Sequence, residues 1–363
     1  MKVLFACGGS GGHVMPAIAM AEILKKEYPT CRFAFVGNEN GMERRITAKE
    51  GYPFYPIAIE GLHRAFTFRN LRTLFLAAKA PRRAKEILRD FRPTLVIGTG
   101  GYVSYPLIPA AARLDIPALL YEPNAIPGLA VRLTEKHVSH ILLQFEECAA
   151  HLKYRERARV IGAPLRQGFA VARRDVARKA LGIARDAFVV LAFGGSLGAE
   201  RISRAVSDAY FPLGAQGITL IHATGERLYD AMRAKHPTEA EHGHLLPYIH
   251  DMASYMAAAD ILVCRAGALT LAELSAVGRA AILIPSPYVA ENHQERNARL
   301  YEARGAALVL TEKDLTGECL TERILFLKSN PSLLGRMEKN AAAIRRGDPA
   351  KSFLSVLREF LQN

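Results

Sequence analysis

A glutamate follows a glycine turn where the sequence predicts that a short buried strand leads into a helix. The apolar run 261–263 predicts the strand, Gly267 the turn, and the spacing of apolar residues over 268–277 the helix. Free amides at the start of such a helix favour an anion, and Glu273 lies about one turn after Thr270. The carboxylate cannot bind phosphate, but it can accept hydrogen bonds from two vicinal hydroxyls, as on a ribose. A solvated glutamate behind an ordinary strand-to-helix turn fits the same pattern.

A histidine ends the first glycine loop of the chain. The pattern of residues 3–7, 8–13 and 16–24 predicts a strand, a glycine loop and a helix, which is the start of a Rossmann-like half. His13 is the only side chain of this loop that titrates near neutral pH. The positive end of the helix dipole is expected to lower its pKa and to keep the ring neutral, able to accept a proton. Packing of the loop, or donation to a phosphate, explains the histidine equally well.

The first loop is not a clear dinucleotide fingerprint. Its glycines do not match G-x-G-x-x-G, so they indicate only that backbone approaches something closely. After the strand predicted at 32–37, Asn38 and Glu39 compete for the place of the usual ribose-binding acid. Both observations argue against NAD.

The glycine-loop pattern occurs again in the second half of the chain. An apolar run at 188–193 predicts a strand that leads into the loop 194–199. This weak internal repeat indicates two similarly built α/β domains that face each other across a cleft. The other predicted strands lie at 32–37, 94–98, 118–121, 140–143, 218–223 and 243–246, with polar loops at 99–104 and 122–128. These loops follow the carboxyl ends of strands, which form the ligand-binding edge of an open α/β sheet.

The composition is that of a globular chain of about two domains. Half of its 363 residues are hydrophobic, and its five cysteines are scattered without paired spacing. A zinc site or a disulfide framework is therefore not expected, and the cysteines fit a reduced cytoplasm. The stretch 95–112 carries no charge, but glycines and prolines interrupt it, which argues against a transmembrane helix.

The net charge of +13 favours a polyanionic partner. No RNP-like aromatic pattern, zinc finger or basic repeat occurs, so nucleic acid is not expected. A helical pattern over 66–92 combines apolar residues such as Phe75 and Leu76 with a cationic rim. This pattern suits the surface of an anionic membrane, although a core-facing helix with a solvated basic face would look similar.

Several of these segments together resemble the MurG family, peripheral membrane glycosyltransferases that add N-acetylglucosamine to the undecaprenyl-linked muramyl pentapeptide called lipid I. The resemblance covers essentially the whole chain. It rests on three glycine loops, on Arg-x-Gly-Ala-Leu-Thr-x-x-Glu at 265–273 and on His-Gln-x-x-Asn at 293–297. The chain departs from the family where 121–124 reads Tyr-Glu-Pro-Asn, where Ala163 replaces an Asn, and where Tyr105 replaces a common Gly.

The resemblance implies a GT-B fold and an inverting transfer from UDP-N-acetylglucosamine. Residues 1–163 would form the acceptor and membrane-associated domain and 164–345 the donor-binding domain, with a helix at 346–363 that returns to the first domain. Carried over by motif, Glu273 would hold the ribose hydroxyls and Ile249 the uracil edge by its backbone. Ser196 and Arg265 would contact the diphosphate. The remaining substrate-binding positions would be Ser10, Gly11, Gly12, Asn124, Arg166, Ala268, Leu269, Thr270, His293 and Gln294.

The reaction implied by the resemblance needs a general base and no cofactor. An inverting displacement requires a base on the face opposite the departing UDP, which favours His13 for the C4 hydroxyl of the acceptor, with Glu122 as the next candidate. No Asp-x-Asp lies in a convincing metal-binding loop. The family works at the cytoplasmic face of the cell membrane, on the undecaprenyl diphosphate acceptor. The alternatives are another GT-B lipid glycosyltransferase, a UDP-sugar epimerase, or a basic nucleotide-binding protein without catalysis.

Overall fold

The computed structural model describes residues 1–61, 68–195, 198–236, 243–345 and 347–362. The chain forms two compact units. The first comprises Met1–Leu165 and Arg346–Asn363, and the second comprises Arg166–Arg345. The sequence placed the change of domain between residues 163 and 164.

The first unit is built on a seven-stranded sheet whose strands all run parallel. Its strands are β1 (Lys2–Ala6), β2 (Arg32–Gly37), β3 (Phe54–Pro56), β4 (Leu95–Gly98), β5 (Ala118–Glu122), β6 (His140–Leu143) and β7 (Ala158–Val160). The spatial order is β3-β2-β1-β4-β5-β6-β7, so the strand order reverses between β1 and β4. This is a doubly wound Rossmann-type sheet, and ligands bind such sheets at the carboxyl ends of the strands beside the reversal.

Helices cover both faces of this sheet, which explains why its strands are apolar on both sides. They are α1 (Gly11–Glu27), α2 (Met42–Lys49), α3 (Phe68–Phe91), α4 (Ser104–Ala112) and α5 (Leu129–Thr134), with short 3-10 turns at Glu135–His137, Glu146–His151 and Arg155–Arg157. Along β1, Leu4 lies in one core with residues of α3 and α4, and Phe5 lies in the other with residues of α1. Successive strand residues therefore fill two separate cores.

The second unit repeats this plan with six parallel strands. They are β8 (Phe188–Phe193), β9 (Ile218–Ala223), β10 (Gly243–Leu246), β11 (Ile261–Cys264), β12 (Ala280–Leu283) and β13 (Ala307–Val309). Their order is β10-β9-β8-β11-β12-β13, with the reversal between β8 and β11. The helices are α6 (Gln167–Val171), α7 (Arg174–Ala180), α8 (Glu200–Gly214), α9 (Glu226–Lys235), α10 (Met252–Ala258), α11 (Ala268–Val277), α12 (His293–Ala303), α13 (Gly317–Lys328) and α14 (Pro331–Ile344), with a 3-10 turn at Ala290–Asn292.

A buried ion-pair network holds the amino edge of this second sheet. Asp260 accepts hydrogen bonds from Arg178 at 2.8 Å and from the backbone amide of Val189 at 2.7 Å. On α14, Glu338 accepts one from Arg279 at 3.1 Å. The network ties strands to helices on the edge opposite the expected ligand edge, so its role is structural.

The last helix, α15 (Pro349–Gln362), belongs to the first unit. Its Phe353 and Leu357 are fully buried in the core that contains β1 and α1, and Arg358 pairs with Glu27 at the end of α1. The uncharged stretch 95–112 forms β4 and α4. Within the described ranges, no helix is both long enough and apolar enough to cross a membrane.

Candidate active site

The donor-type motifs of the sequence meet at the carboxyl edge of the second sheet, beside the strand reversal. The glycine loop follows β8, Arg265 follows β11, and the two strands are neighbours. A Cβ at Gly194 would lie 2.3 Å from the backbone nitrogen of Ala199, and Gly195 and Gly198 adopt positive φ. The loop therefore needs its glycines to turn tightly into α8. The predicted contact Ser196 lies outside the described residues.

Glu273 lies in α11, one turn beyond the residues that open this helix. The helix begins after Gly267 and ends at Gly278, whose left-handed conformation caps it. The glutamate is half-buried, and desolvation raises its pKa from 4.5 to about 8. Desolvation therefore favours the protonated form of this carboxyl group, which distinguishes it from the solvated helix glutamate that the sequence left open.

The start of α11 brings three of the predicted substrate contacts together. Ala268 is buried, while Leu269 and Thr270 are half-buried. The amides of a helix's first turn have no acceptor within the helix, so this end can receive an anion. Because Glu273 lies on the next turn, an anion and a diol on one ligand could be bound by the same helix.

Arg265 is held by acceptors from two neighbouring strands. Its guanidinium donates to the carbonyl of Ile284, just after β12, at 3.2 Å and to Oε1 of Glu312, beyond β13, at 3.0 Å. Both side chains of the pair are largely buried, with exposures of 15% and 8%. Sequence reasoning predicted Arg265 as a diphosphate contact and did not identify Glu312.

The start of α12 has a strained backbone. Glu291 and Asn292 adopt left-handed conformations, with φ of 52° and 53°, which non-glycine residues rarely do. His293 and Gln294 follow directly and are half-buried. Oε1 of Gln294 accepts a hydrogen bond from the amide of Ser286 at 2.9 Å, so its NH₂ group is the end that remains to donate to a ligand.

Ile249 and Arg166 differ in their exposure to solvent. The side chain of Ile249 is 4% exposed, which leaves its backbone as the part suited to contact a ligand; the contact with uracil stays a prediction. Arg166 is exposed and precedes the short helix α6.

In the first unit, His13 bridges two glycine loops. Its Nδ1 lies 2.9 Å from the carbonyl oxygen of Thr99, and the Thr99 hydroxyl donates to the carbonyl of His13 at 2.6 Å. Because a carbonyl only accepts, Nδ1 carries the proton, and in the neutral ring Nε2 carries the lone pair. A Cβ at Gly100 would lie 2.5 Å from Nδ1, so glycine is required there.

The glycines of the first loop serve contacts within the protein. A Cβ at Gly8 would lie 2.9 Å from the buried carboxylate of Glu43, and one at Gly9 would lie 3.0 Å from Tyr102. The sequence predicted that the backbone of this loop approaches another group closely, but it did not identify that group. Ser10 precedes α1 and is exposed, while Gly11 and Gly12 form its first two positions.

Glu122 organises its own loop. Its Oε1 accepts from the backbone and side-chain amides of Asn124, both at 2.9 Å, and its Oε2 accepts from the amide of Gly128 at 2.8 Å. The side chain is 2% exposed. Three donors hold this carboxylate in place, which makes it a weaker candidate for the base than His13.

Two buried residues at the candidate site were missed from sequence. Glu312 follows β13, a three-residue strand that the sequence did not predict, and Glu43 lies in α2, which was not predicted either. For Glu312 a signal was available, since it is a charged residue two positions after the short apolar run 306–310. Among the residues that the structure describes, no group of three or more His, Cys, Asp or Glu side chains is placed to hold a metal ion.

Comparison with known proteins gives matches over both units. Residues 3–143 match the glycosyltransferase family 28 N-terminal domain, and residues 189–353 match the C-terminal domain of the same family. The chain is 39% identical over 362 residues to the UDP-N-acetylglucosamine--N-acetylmuramyl-(pentapeptide) pyrophosphoryl-undecaprenol N-acetylglucosamine transferase of Thermoanaerobacter sp. (strain X514), with 99% of each chain covered. It is 36% identical over 361 residues to the protein of the same name from Bacillus subtilis (strain 168), again with 99% of each covered.

Solved structures agree with these matches. A crystal structure of Acinetobacter baumannii MurG matches with a TM-score of 0.77 and 27% identity over 99% of both chains. A UDP-GlcNAc 2-epimerase from Neisseria meningitidis, at 13% identity and a TM-score of 0.66 over all of both chains, shares the fold alone. The two family 28 domains on two Rossmann-like sheets define a glycosyltransferase of the GT-B fold. Within that class, the chain belongs to the MurG family of N-acetylglucosamine transferases.

Proposed function

We propose that this chain moves N-acetylglucosamine from UDP-N-acetylglucosamine to the C4 hydroxyl of the muramyl sugar of lipid I, with inversion, to give lipid II for peptidoglycan synthesis. The observation that carries the donor half is the position of Glu273 on α11, one turn from helix-start amides at the carboxyl edge of the second sheet. The acceptor follows from membership of the family, whose relatives are named for it.

The donor site divides its work between α11 and Arg265. As a carboxylate, Glu273 accepts hydrogen bonds from both ribose hydroxyls, while the backbone of Ile249 meets the uracil edge. The first amides of α11 and the guanidinium of Arg265 supply positive charge where UDP becomes more negative as the glycosidic bond breaks. The amide group of Gln294 donates to the sugar, and Ala268, Leu269, Thr270 and His293 complete this part of the site.

His13 is the general base of the proposed mechanism. Nε2 accepts the proton of the C4 hydroxyl as that oxygen attacks the anomeric carbon and UDP departs. The bond from Nδ1 to Thr99 fixes the tautomer that this step requires and stabilises the imidazolium that results. Asn124, set by Glu122, and the loop of Ser10, Gly11 and Gly12 contribute polar contacts to the substrates.

An anionic membrane surface at the cytoplasmic face is the proposed location. On α3, Leu71, Leu74 and Phe75 are 63%, 58% and 58% exposed, and Nζ of Lys79 lies 4.1 Å from the centre of the Phe75 ring. Exposed apolar side chains beside cations suit the interface of an anionic bilayer, and most of the net positive charge lies in the first unit. A lipid-linked acceptor could then be reached from the bilayer surface.

The decisive experiment is incubation with UDP-N-acetylglucosamine and a lipid I analogue, followed by mass spectrometry. We expect an acceptor product that is heavier by one N-acetylhexosamine, together with UDP. The same assay without acceptor tests for epimerase activity, since an epimerase would isomerise the UDP-sugar. Absence of the glycosylated product, with the donor intact or isomerised, would refute the proposed transfer.

A further inference from the structure

We infer that Glu312 is a positioning residue of the donor site: it anchors Arg265 and offsets part of its charge, so that the guanidinium meets the diphosphate in one orientation. This inference rests on the proposed contact between Arg265 and the diphosphate. It adds a residue that the sequence motifs did not contain.

The geometry places Glu312 at the ligand edge of the sheet. Arg265, Ile284 and Glu312 come after β11, β12 and β13, which are adjacent parallel strands, so all three lie beyond the same carboxyl edge. The guanidinium donates to the other two at 3.2 and 3.0 Å through its terminal nitrogens. Neither bond uses Nε, and five N–H donors are available in total. Three donors are therefore left to face an anion.

The backbone of Glu312 is fixed as well. Arg201, on α8, donates to the carbonyl oxygen of Glu312 at 3.1 Å. This bond joins the loop after β13 to the helix that follows the glycine loop of the donor site. The anchor of Arg265 is therefore attached to two of the elements that surround the expected diphosphate position.

The side chain of Glu312 has a feature that an ordinary ion pair lacks. Its Oε2 is buried and has no hydrogen-bond partner among the described residues, although its Oε1 binds Arg265. A buried oxygen without a hydrogen-bond partner lowers the free energy of unfolding, so the pair of Arg265 and Glu312 is poorly suited to a purely stabilising role. Its presence beside a phosphate-binding cation has a functional rationale, because a negative charge there weakens the hold on UDP after transfer.

Two substitutions separate the charge from the anchor. Glu312→Gln keeps an oxygen that can accept from Arg265 and removes the negative charge, whereas Glu312→Ala removes both. UDP should bind to Glu312→Gln about three- to tenfold more tightly than to the wild type, because one repulsive charge is gone. Glu312→Ala should bind UDP at least about threefold more weakly than Glu312→Gln, because the unanchored guanidinium must be ordered on binding.

The role of Arg265 is isolated by repeating the comparison without it. Arg265→Ala/Glu312→Gln and Arg265→Ala/Glu312→Ala leave no unpaired buried charge, so both should fold, and they should bind UDP equally. A merely structural role of Glu312 would change the melting temperature but not the UDP dissociation constant. Glu338→Gln is the matched control, since Glu338 also pairs with a buried arginine but lies with the network at the opposite edge. It should lower the melting temperature and leave UDP affinity unchanged.

Calorimetric titration with UDP, together with kcat and KM for UDP-N-acetylglucosamine, gives the readouts. Equal UDP affinity of Glu312→Gln, Glu312→Ala and the wild type would overturn the inference. A difference in UDP affinity between Arg265→Ala/Glu312→Gln and Arg265→Ala/Glu312→Ala would also overturn it. If the double variants bind UDP as tightly as the wild type, the proposed diphosphate contact of Arg265 is itself wrong. The two failures are therefore distinguishable.

Discussion

At the scale of the residue, the protonation of Glu273 links stability and donor binding. Its folded pKa of about 8 lies above the ordinary value of 4.5, so its contribution to stability is present below pH 4.5 and is lost as the pH rises through 8. The glutamine side chain cannot ionise, so the melting temperature of Glu273→Gln should increase relative to that of the wild type as the pH rises from 5 to 9. An equal pH dependence of the two proteins would contradict the assignment.

Donor affinity should have the opposite pH dependence, because the carboxylate is the form that accepts two hydroxyl hydrogen bonds. UDP should bind the wild type more tightly as the pH rises through 8, and its affinity should level off about one pH unit higher. The terminal phosphate of UDP is already ionised in this range. Glu273→Ala should lose about 1.5–3 kcal/mol of binding free energy, more than tenfold, and Glu273→Gln less. Isothermal titration measures both. Unchanged affinity in the alanine variant would refute the ribose contact.

The proposed role of His13 as general base gives a prediction about turnover and not about UDP affinity. His13→Ala should reduce kcat about 10²–10⁴-fold with little change in UDP affinity, and the wild-type rate should fall when acid protonates the ring. Steady-state kinetics with a lipid I analogue, alongside UDP titration, separates the two effects. If the variant loses UDP binding while its bound-state turnover survives, His13 is a donor contact and the base lies elsewhere.

At the scale of the element, α3 is the proposed membrane contact. Replacing Leu74 and Phe75 by Ser should reduce co-sedimentation with anionic liposomes, and added salt should reduce it further, because apolar insertion and charge both contribute. Leu76, which the sequence grouped with Phe75, is half-buried, so a serine there would also disturb packing. Phe326→Ser, an exposed phenylalanine of the second unit, is the control and should bind as the wild type does. Equal binding of all three proteins would leave α3 as an ordinary solvated helix.

The bounds of the strands and helices show which elements could be predicted from the sequence. Residues 32–37, 140–143, 188–193 and 268–277 were predicted with the bounds that the structure has, because long apolar runs and helical spacing are local signals. The strands β3, β7 and β13 have three residues each and were missed, since so short a run has no readable period. The contacts of His13 with Thr99 and of Arg265 with Glu312 join residues far apart in sequence. No local pattern could have indicated them.

At the scale of the whole molecule, the two units have separate sheets and separate cores, so each should have its own unfolding transition. The donor-type motifs lie in the second unit, whereas α15 completes a core of the first. UDP at about 100 times its dissociation constant should therefore stabilise the second unit by about 2.7 kcal/mol and leave the first unchanged. Differential scanning calorimetry with and without UDP assigns the two transitions.

The terminal helix makes this assignment testable by substitution. Phe353 is fully buried between α15 and the core of the first unit, so Phe353→Ala should cost about 3–5 kcal/mol and lower the transition that UDP does not raise. Leu327→Ala is the matched control, because Leu327 is equally buried in the core of the second unit and should lower the other transition. UDP affinity measured well below both transitions should survive Phe353→Ala, since the proposed UDP contacts Glu273, Ile249 and Arg265 belong to the second unit. If the two variants lower one common transition, the units unfold together, and the stability of the donor site then depends on a helix at the far end of the chain.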